Sequence, residues 1–117
     1  MTEQEHIDSI RDALPKEGFG SSWHVDMADE ALRQYPESTR LWCLRGDLIQ
    51  LSDDVDDGRE LTDAQRSYER ALEIDPECVE AHESLGHFFD AVEPDAERSR
   101  HHFSRAADLA ETRPTPP

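Results

Sequence analysis

Four aspartates, Asp53, Asp54, Asp56 and Asp57, crowd the stretch before Gly58. Carboxylates at alternate positions ahead of a glycine could hold calcium. Such a loop wants acids at its first, third and fifth residues, Gly at the sixth and Glu at the twelfth. With Gly58 as the sixth, Asp53 and Asp57 fall on ligand positions, but Val55 and Ala64 occupy two others. The run therefore reads as a solvated, self-repelling loop, with an acidic calcium-responsive protein as the lesser alternative. Six histidines raise a second possibility. His82 and His87 are off the one-turn spacing that brings two imidazoles together, and the adjacent His101 and His102 point to different sides of a helix. No metal site is expected. Cys43 and Cys78 are the only cysteines, in no CxxC or CxxH spacing, so neither a zinc ribbon nor a redox motif is written here.

Catalysis finds no foothold. The chain has no Gly-rich phosphate loop, no Gly-x-Ser-x-Gly and no metalloprotease signature. Its many carboxylates fall on polar surface, where nothing should shift their pKa values. The expectation is a protein that is not an enzyme and needs no cofactor.

The charge balance narrows the partners. Of 117 residues, 28 are acidic and 12 basic, a formal net charge of −16. That field repels nucleic acid and anionic membrane and favours a cationic partner. Lys16 is the only lysine. The start, Met1-Thr2-Glu3-Gln4-Glu5, is acidic, and no apolar run approaches membrane-spanning length. With two thiols and no leader-like segment, the expected compartment is the cytoplasm.

The elements are read from periodicity. Ile7, Ile10 and Leu14 make one stripe of a helix over 3–14, stopped by Pro15. Gly18 to Ser22 is a loop. A second helix spans about 22–35, with Trp23, Met27, Ala28, Ala31 and Leu32 inward and Pro36 ending it. A third spans about 38–51, with Leu41, Trp42, Leu44, Leu48 and Ile49 apolar. After the acidic loop, Thr62 caps a fourth helix and Gln65 completes a capping box. Asp75 caps the fifth, with Pro76 at its first position and Val79, Leu85, Phe88 and Phe89 along it. The sixth runs about 94–111, with Phe103, Ala106, Ala107, Leu109 and Ala110. No segment alternates like a strand.

A pattern then emerges twice. Trp42, Gly46, Ile49, Ala64, Tyr68, Ala71 and Pro76 form one set; His82, Leu85, Gly86, Phe89, Ser99, Phe103 and Ala106 form the next. Ala28, Ala31, Leu32 and Pro36 match the end of an earlier set. A Gly inside a helix costs about 1 kcal/mol relative to Ala, so two in phase imply close helix crossings. Gly46 should face the helix around Ala64–Ala71, and Gly86 the helix around Phe103–Ala106. This pattern resembles the tetratricopeptide repeat, whose period is about 34 residues. The resemblance covers roughly 22–111, about two and a half repeats. The departures are Arg45 where the family prefers Leu, Glu111 where a closing Pro belongs, and a middle repeat about six residues longer than the family period.

The resemblance implies an all-α fold: antiparallel helical hairpins stacked as a short right-handed superhelix. One domain would span 1–111, with repeat-like helices at 22–36, 38–76 and 77–111 and a disordered tail at 112–117. It implies a protein-binding module, an adaptor or small chaperone, with the first helix of each repeat lining a concave face. The residues on that face would be Arg40, Cys43, Asp47 and Gln50, then Glu80, Glu83, His87 and Asp90. The family's carboxylate-terminus binders clamp with basic groups there; Asp47 and Glu83 have the wrong sign. A basic or amphipathic peptide fits better. The alternative is a self-associating structural subunit, pairing weakly as a homodimer through Ala107 and Ala110 of the last helix.

Overall fold

The computed structural model describes residues 1–14, 22–51, 61–92 and 94–112. It contains α1 (Glu3–Ala13), α2 (Ser22–Gln34), α3 (Thr39–Leu51), α4 (Leu61–Ile74), α5 (Val79–Ala91) and α6 (Ala96–Thr112). No strand occurs among the described residues. The fold is all-α.

Each consecutive pair of helices packs together as far as α6. The closest pairings are α3 with α4 and α5 with α6, and α3 also touches α5. Ile7 and Ile10 of α1 join Val25, Ala28 and Ala31 of α2 in one core with Leu41, Leu48, Tyr68, Leu85 and Phe88. Both helical glycines sit at crossings. A Cβ on Gly46 would lie 2.6 Å from the Tyr68 ring, and one on Gly86 would lie 2.8 Å from the Phe103 ring.

The helix ends correct the reading of the sequence in several places. Leu14 ends α1 in an extended conformation, as a residue before proline prefers. Thr62 does not cap α4: that helix already starts at Leu61, so Thr62 lies in its first turn. Gln65 reaches forward to Glu69 instead. Asp75 and Pro76 do not open α5. They form a turn, in which the Cys78 amide donates to the Asp75 carbonyl at 3.0 Å and the Glu77 amide to the Asp75 side chain at 3.0 Å. The N-cap is Cys78. The same turn precedes α3, where the Ser38 amide donates to the Tyr35 carbonyl at 3.1 Å. Ser38 then caps α3 by accepting from the Leu41 amide at 3.1 Å. Pro94 precedes α6 without entering it; Asp95 takes the cap, accepting from the Arg98 amide at 3.1 Å.

Trp23 does not face the core. It is 56% exposed, because the buried stripe of α2 runs through His24, Val25, Ala28, Ala31 and Leu32. Trp23 lies one position off that stripe and leans its edge on His24. Thr112 belongs to α6, one residue past the helix end expected at 111. The expectations for Pro15, for the loop Gly18–Ser21, for the acidic run 53–57 and for the tail 113–117 lie outside the described residues.

Candidate functional site

α3 and α5 lie side by side and present one face. At its α4 end is a cleft of about 350 Å³, lined by Asp47, Gln50, Leu51, Tyr68, Ser84 and His87. Its floor is a chain of hydrogen bonds. Gln50 Nε2 donates to the Tyr68 hydroxyl at 2.6 Å, and that hydroxyl donates to Asp47 Oδ1 at 2.6 Å. Tyr68 is fully buried, its ring against Gly46 and its hydroxyl between Gln50 and Asp47 beneath the cleft. Burial pushes the Tyr68 phenol well above its ordinary range, and the Asp47 charge adds to this. The hydroxyl therefore stays protonated and acts as a fixed donor.

The electrostatics centre on Asp47 and Glu80. Burial raises the Asp47 carboxyl, against the Tyr68 hydrogen bond and the Arg11 charge. Burial also raises Glu80, and Asp47 and Glu83 push the same way, while Arg11 and Arg40 oppose. Arg40 holds Glu3 of α1 at 3.9 Å. Two arginines thus already act on the acidic face, one of them from α1.

The structure sorts the eight expected residues. Asp47, Gln50 and His87 meet at the cleft. Glu80 is exposed and electrostatically coupled to Asp47, with Arg40 and Glu83 beside it. Asp90 is exposed near the end of α5 and lines no part of the cleft. Cys43 cannot meet a partner from solution: it is 0% exposed, within the core cluster. Position 43 follows the inward stripe of α3 with Leu41, Leu44 and Leu48, which the small, polarizable thiol fits. Spacing alone misses Leu51, Tyr68, Ser84 and Arg11. By spacing Tyr68 is core filling, which its ring is; the hydroxyl is the signal for a second role. Leu51 is 46% exposed, a single apolar patch at the cleft edge.

Elsewhere, His82 Nδ1 and His102 Nδ1 lie 3.1 Å apart. Among the described residues no group of three or more His, Cys, Asp or Glu is placed to hold a metal ion. Nor, among them, is any helix long and apolar enough to cross a membrane. Comparison with protein-family models, with curated proteins and with solved structures finds no match to this chain.

Proposed function

We propose that the chain is a short tetratricopeptide-like array that captures a basic or amphipathic segment of a partner protein on the α3–α5 face, as a cytoplasmic adaptor. The observation that carries this reading is the pairing of Asp47 with Glu80 across two neighbouring helices. Burial raises the Asp47 carboxyl, and the Asp47 charge adds to the partial desolvation that raises the more exposed Glu80. A cation delivered by a ligand would relieve that cost, which is a source of affinity and of selectivity for sign. Arg11 supplies an example within the chain, acting on both carboxylates. The cleft beside them offers an amide, an imidazole and one apolar edge. That mixture suits a side chain with an aliphatic stem and a polar tip.

The test is binding of fluorescein-labelled peptides, basic against acidic, at two salt concentrations. Basic peptides are expected to bind, and salt to weaken them. Asp47→Lys with Glu83→Lys should reverse the preference. Equal binding of the same peptides by both forms at low salt would remove the face from consideration. The alternative, self-association through α6, has Ala107 and Ala110 exposed as it requires, but no large exposed apolar side chain beside them. Among the described residues the exposed large apolar side chains are Met1, Trp23, Leu51 and Leu61, none of them on α6.

A further inference from the structure

The first hairpin carries apolar surface that the α3–α5 face does not use. Between α1 and α2 lies a cleft of about 340 Å³, lined only by α1, α2 and Met1. A stack of helical hairpins closes with a polar outer face where nothing else packs on it. Here two of the exposed large apolar side chains, Met1 and Trp23, stand at this one cleft, with Met27 between the helices beside them. We propose that the cleft docks a basic amphipathic helix of a partner protein, its apolar side chains on Trp23 and Met27 and its lysines or arginines at Asp26 and Glu30. No lining residue belongs to α3 or α5, so this docking stands apart from the function proposed above.

The cleft is built before any partner arrives. Positions 23, 26, 27 and 30 are three and four apart and form one stripe of α2. That stripe is distinct from the buried one through Val25, Ala28 and Leu32. α2 therefore has an apolar edge toward solvent as well as one toward the core. α1 runs antiparallel to it, with Ala13 beside His24 and His6 beside Gln34. Its Ile10 is buried and Ser9 half-buried at the cleft. The Tyr35 hydroxyl donates to the Met1 carbonyl at 2.8 Å, and Thr2 and Glu5 close a capping box on α1, which holds the Met1 wall in place. A surface formed in advance loses less freedom on binding.

Shape and charge select the occupant. α1 packs chiefly on α2, whereas α3 packs on α2, α4 and α5. A partner helix on the first hairpin would extend the stack as the chain's own helices do, with apolar anchors one turn apart. An exposed indole is a strong anchor, and a thioether adapts to the side chain it meets. The lining holds the carboxylates of Asp26 and Glu30 and no lysine or arginine. Glu30 meets Arg33 of its own helix in an exposed ion pair, the kind that exchanges at little cost. An incoming lysine or arginine can also lie over the Trp23 ring. The net charge of −16 draws a basic segment in and repels a second copy of this chain.

The probe is a synthetic lysine–leucine–alanine peptide of about 18 residues with leucines one turn apart, long enough to form a helix. It is titrated into the Trp42→Phe chain, where Trp23 is the one remaining indole. The expected result is a saturable blue shift of the Trp23 emission, weakened by salt. With fluorescein-labelled peptide, Trp23→Ala should weaken binding about tenfold or more while the melting temperature holds, since that side chain is exposed. Asp26→Lys with Glu30→Lys should reject the lysine peptide and admit one with glutamates in its place. A central proline in the peptide should weaken it. Asp47→Lys with Glu83→Lys should leave the Trp23 shift in place; a shift lost in that variant assigns the peptide to the α3–α5 face and overturns the proposal. So does an unmoved Trp23 emission, equal binding of lysine and glutamate peptides, or sedimentation that shows the chain dimerising without peptide and Trp23→Ala abolishing the dimer.

Discussion

Trp42 and His82 make the same bond from equivalent places in the two sets. The Trp42 indole donates to the Pro36 carbonyl at 2.9 Å, and His82 Nε2 donates to the Pro76 carbonyl at 3.0 Å. Each side chain reaches back one turn and satisfies the carbonyl of the proline turn that precedes its own helix. A carbonyl only accepts, so the His82 proton is on Nε2, and its Nδ1 is left to accept from His102 Nδ1. Trp42→Phe deletes the donor and keeps most of the ring. The expected cost is about 0.5–1.5 kcal/mol, a lower urea midpoint with an unchanged slope. An unchanged midpoint would show that water replaces the indole without loss.

The second imidazole makes the α5–α6 contact sensitive to acid. Burial, then His82, His101 and Arg98 of its surroundings, lower the His102 pKa to about 4. His102 also stacks on Phe89, with ring centroids 5.9 Å apart, and Arg98 stands over that same ring at 5.3 Å. A histidine whose folded pKa is depressed contributes its stability above the unfolded value of about 6.5 and loses it as pH falls toward 4. Melting temperature should therefore fall between about pH 6.5 and 4, and His102→Asn should flatten that fall. A variant with the same slope as the wild type would place the acid sensitivity elsewhere.

Gly46 and Gly86 answer to different neighbours, so the same substitution should not cost the same. The ring facing Gly46 is Tyr68, fully buried and pinned through its hydroxyl by Asp47 and Gln50. The ring facing Gly86 is Phe103, half-buried and without a hydroxyl to anchor it, with His87 against it edge to face. Alanine gains about 1 kcal/mol of helix propensity over glycine at either place. At Gly46 overpacking of about 1–3 kcal/mol should win; at Gly86 the Phe103 ring can yield and the balance should be near zero. Chemical denaturation of Gly46→Ala and Gly86→Ala decides it, and equal losses would mean that the ring anchors are irrelevant. Gly86→Leu, too large for any yielding of Phe103, should cost about 1–3 kcal/mol.

Most of the helices are legible because their inward residues recur at helical spacing and the two glycines recur in phase with an aromatic partner. The helix starts are not, and the turn before α5 shows why. Asp75-Pro76 is a strong cap-plus-first-position signal, yet here a β-turn inserts before the helix and hands the cap to Cys78. The rule for proline at a first helical position and the rule for proline in a turn fit the same letters; tertiary packing chooses. Trp23 misleads for the opposite reason: one residue of phase separates the buried stripe from solvent, and a large ring is no guarantee of burial. At the site, one helix per repeat is enough to find Asp47, Gln50 and His87. It cannot find Arg11 or Tyr68, which reach that face from α1 and α4.

Arg45 illustrates a departure that the structure explains. In place of an apolar residue, it ties three helices: Nε donates to Asp29 of α2 at 2.6 Å and Nη1 to Ser67 of α4 at 2.7 Å. Its side chain is largely buried and Asp29 is partly so, which separates this pair from the exposed ion pairs along α2, α4 and α6. Arg45→Leu should cost about 1–3 kcal/mol. In a double-mutant cycle with Asp29→Ala the losses should fall short of additive. Strict additivity would mean that the two side chains do not depend on each other.

Asp47 sets stability against binding. Its folded pKa is raised above the ordinary 3.8, chiefly by burial. A carboxyl raised on folding favours the native state most when protonated. Stability therefore drops as pH rises through the window between the unfolded and folded values, and the cost remains at neutral pH. Asp47→Asn removes the charge and keeps an oxygen to accept from the Tyr68 hydroxyl. At pH 7 the variant should melt higher than the wild type and show a shallower drop above pH 4. It should also bind basic peptides more weakly, since the charge that destabilises the free cleft is the one a cation would neutralise. Thermal melts across pH and the peptide titration, run on one preparation, read both effects. If Asp47→Asn lowers the melting temperature at pH 7, Arg11 and Tyr68 already compensate the charge, and the cleft loses its reason to seek a cation.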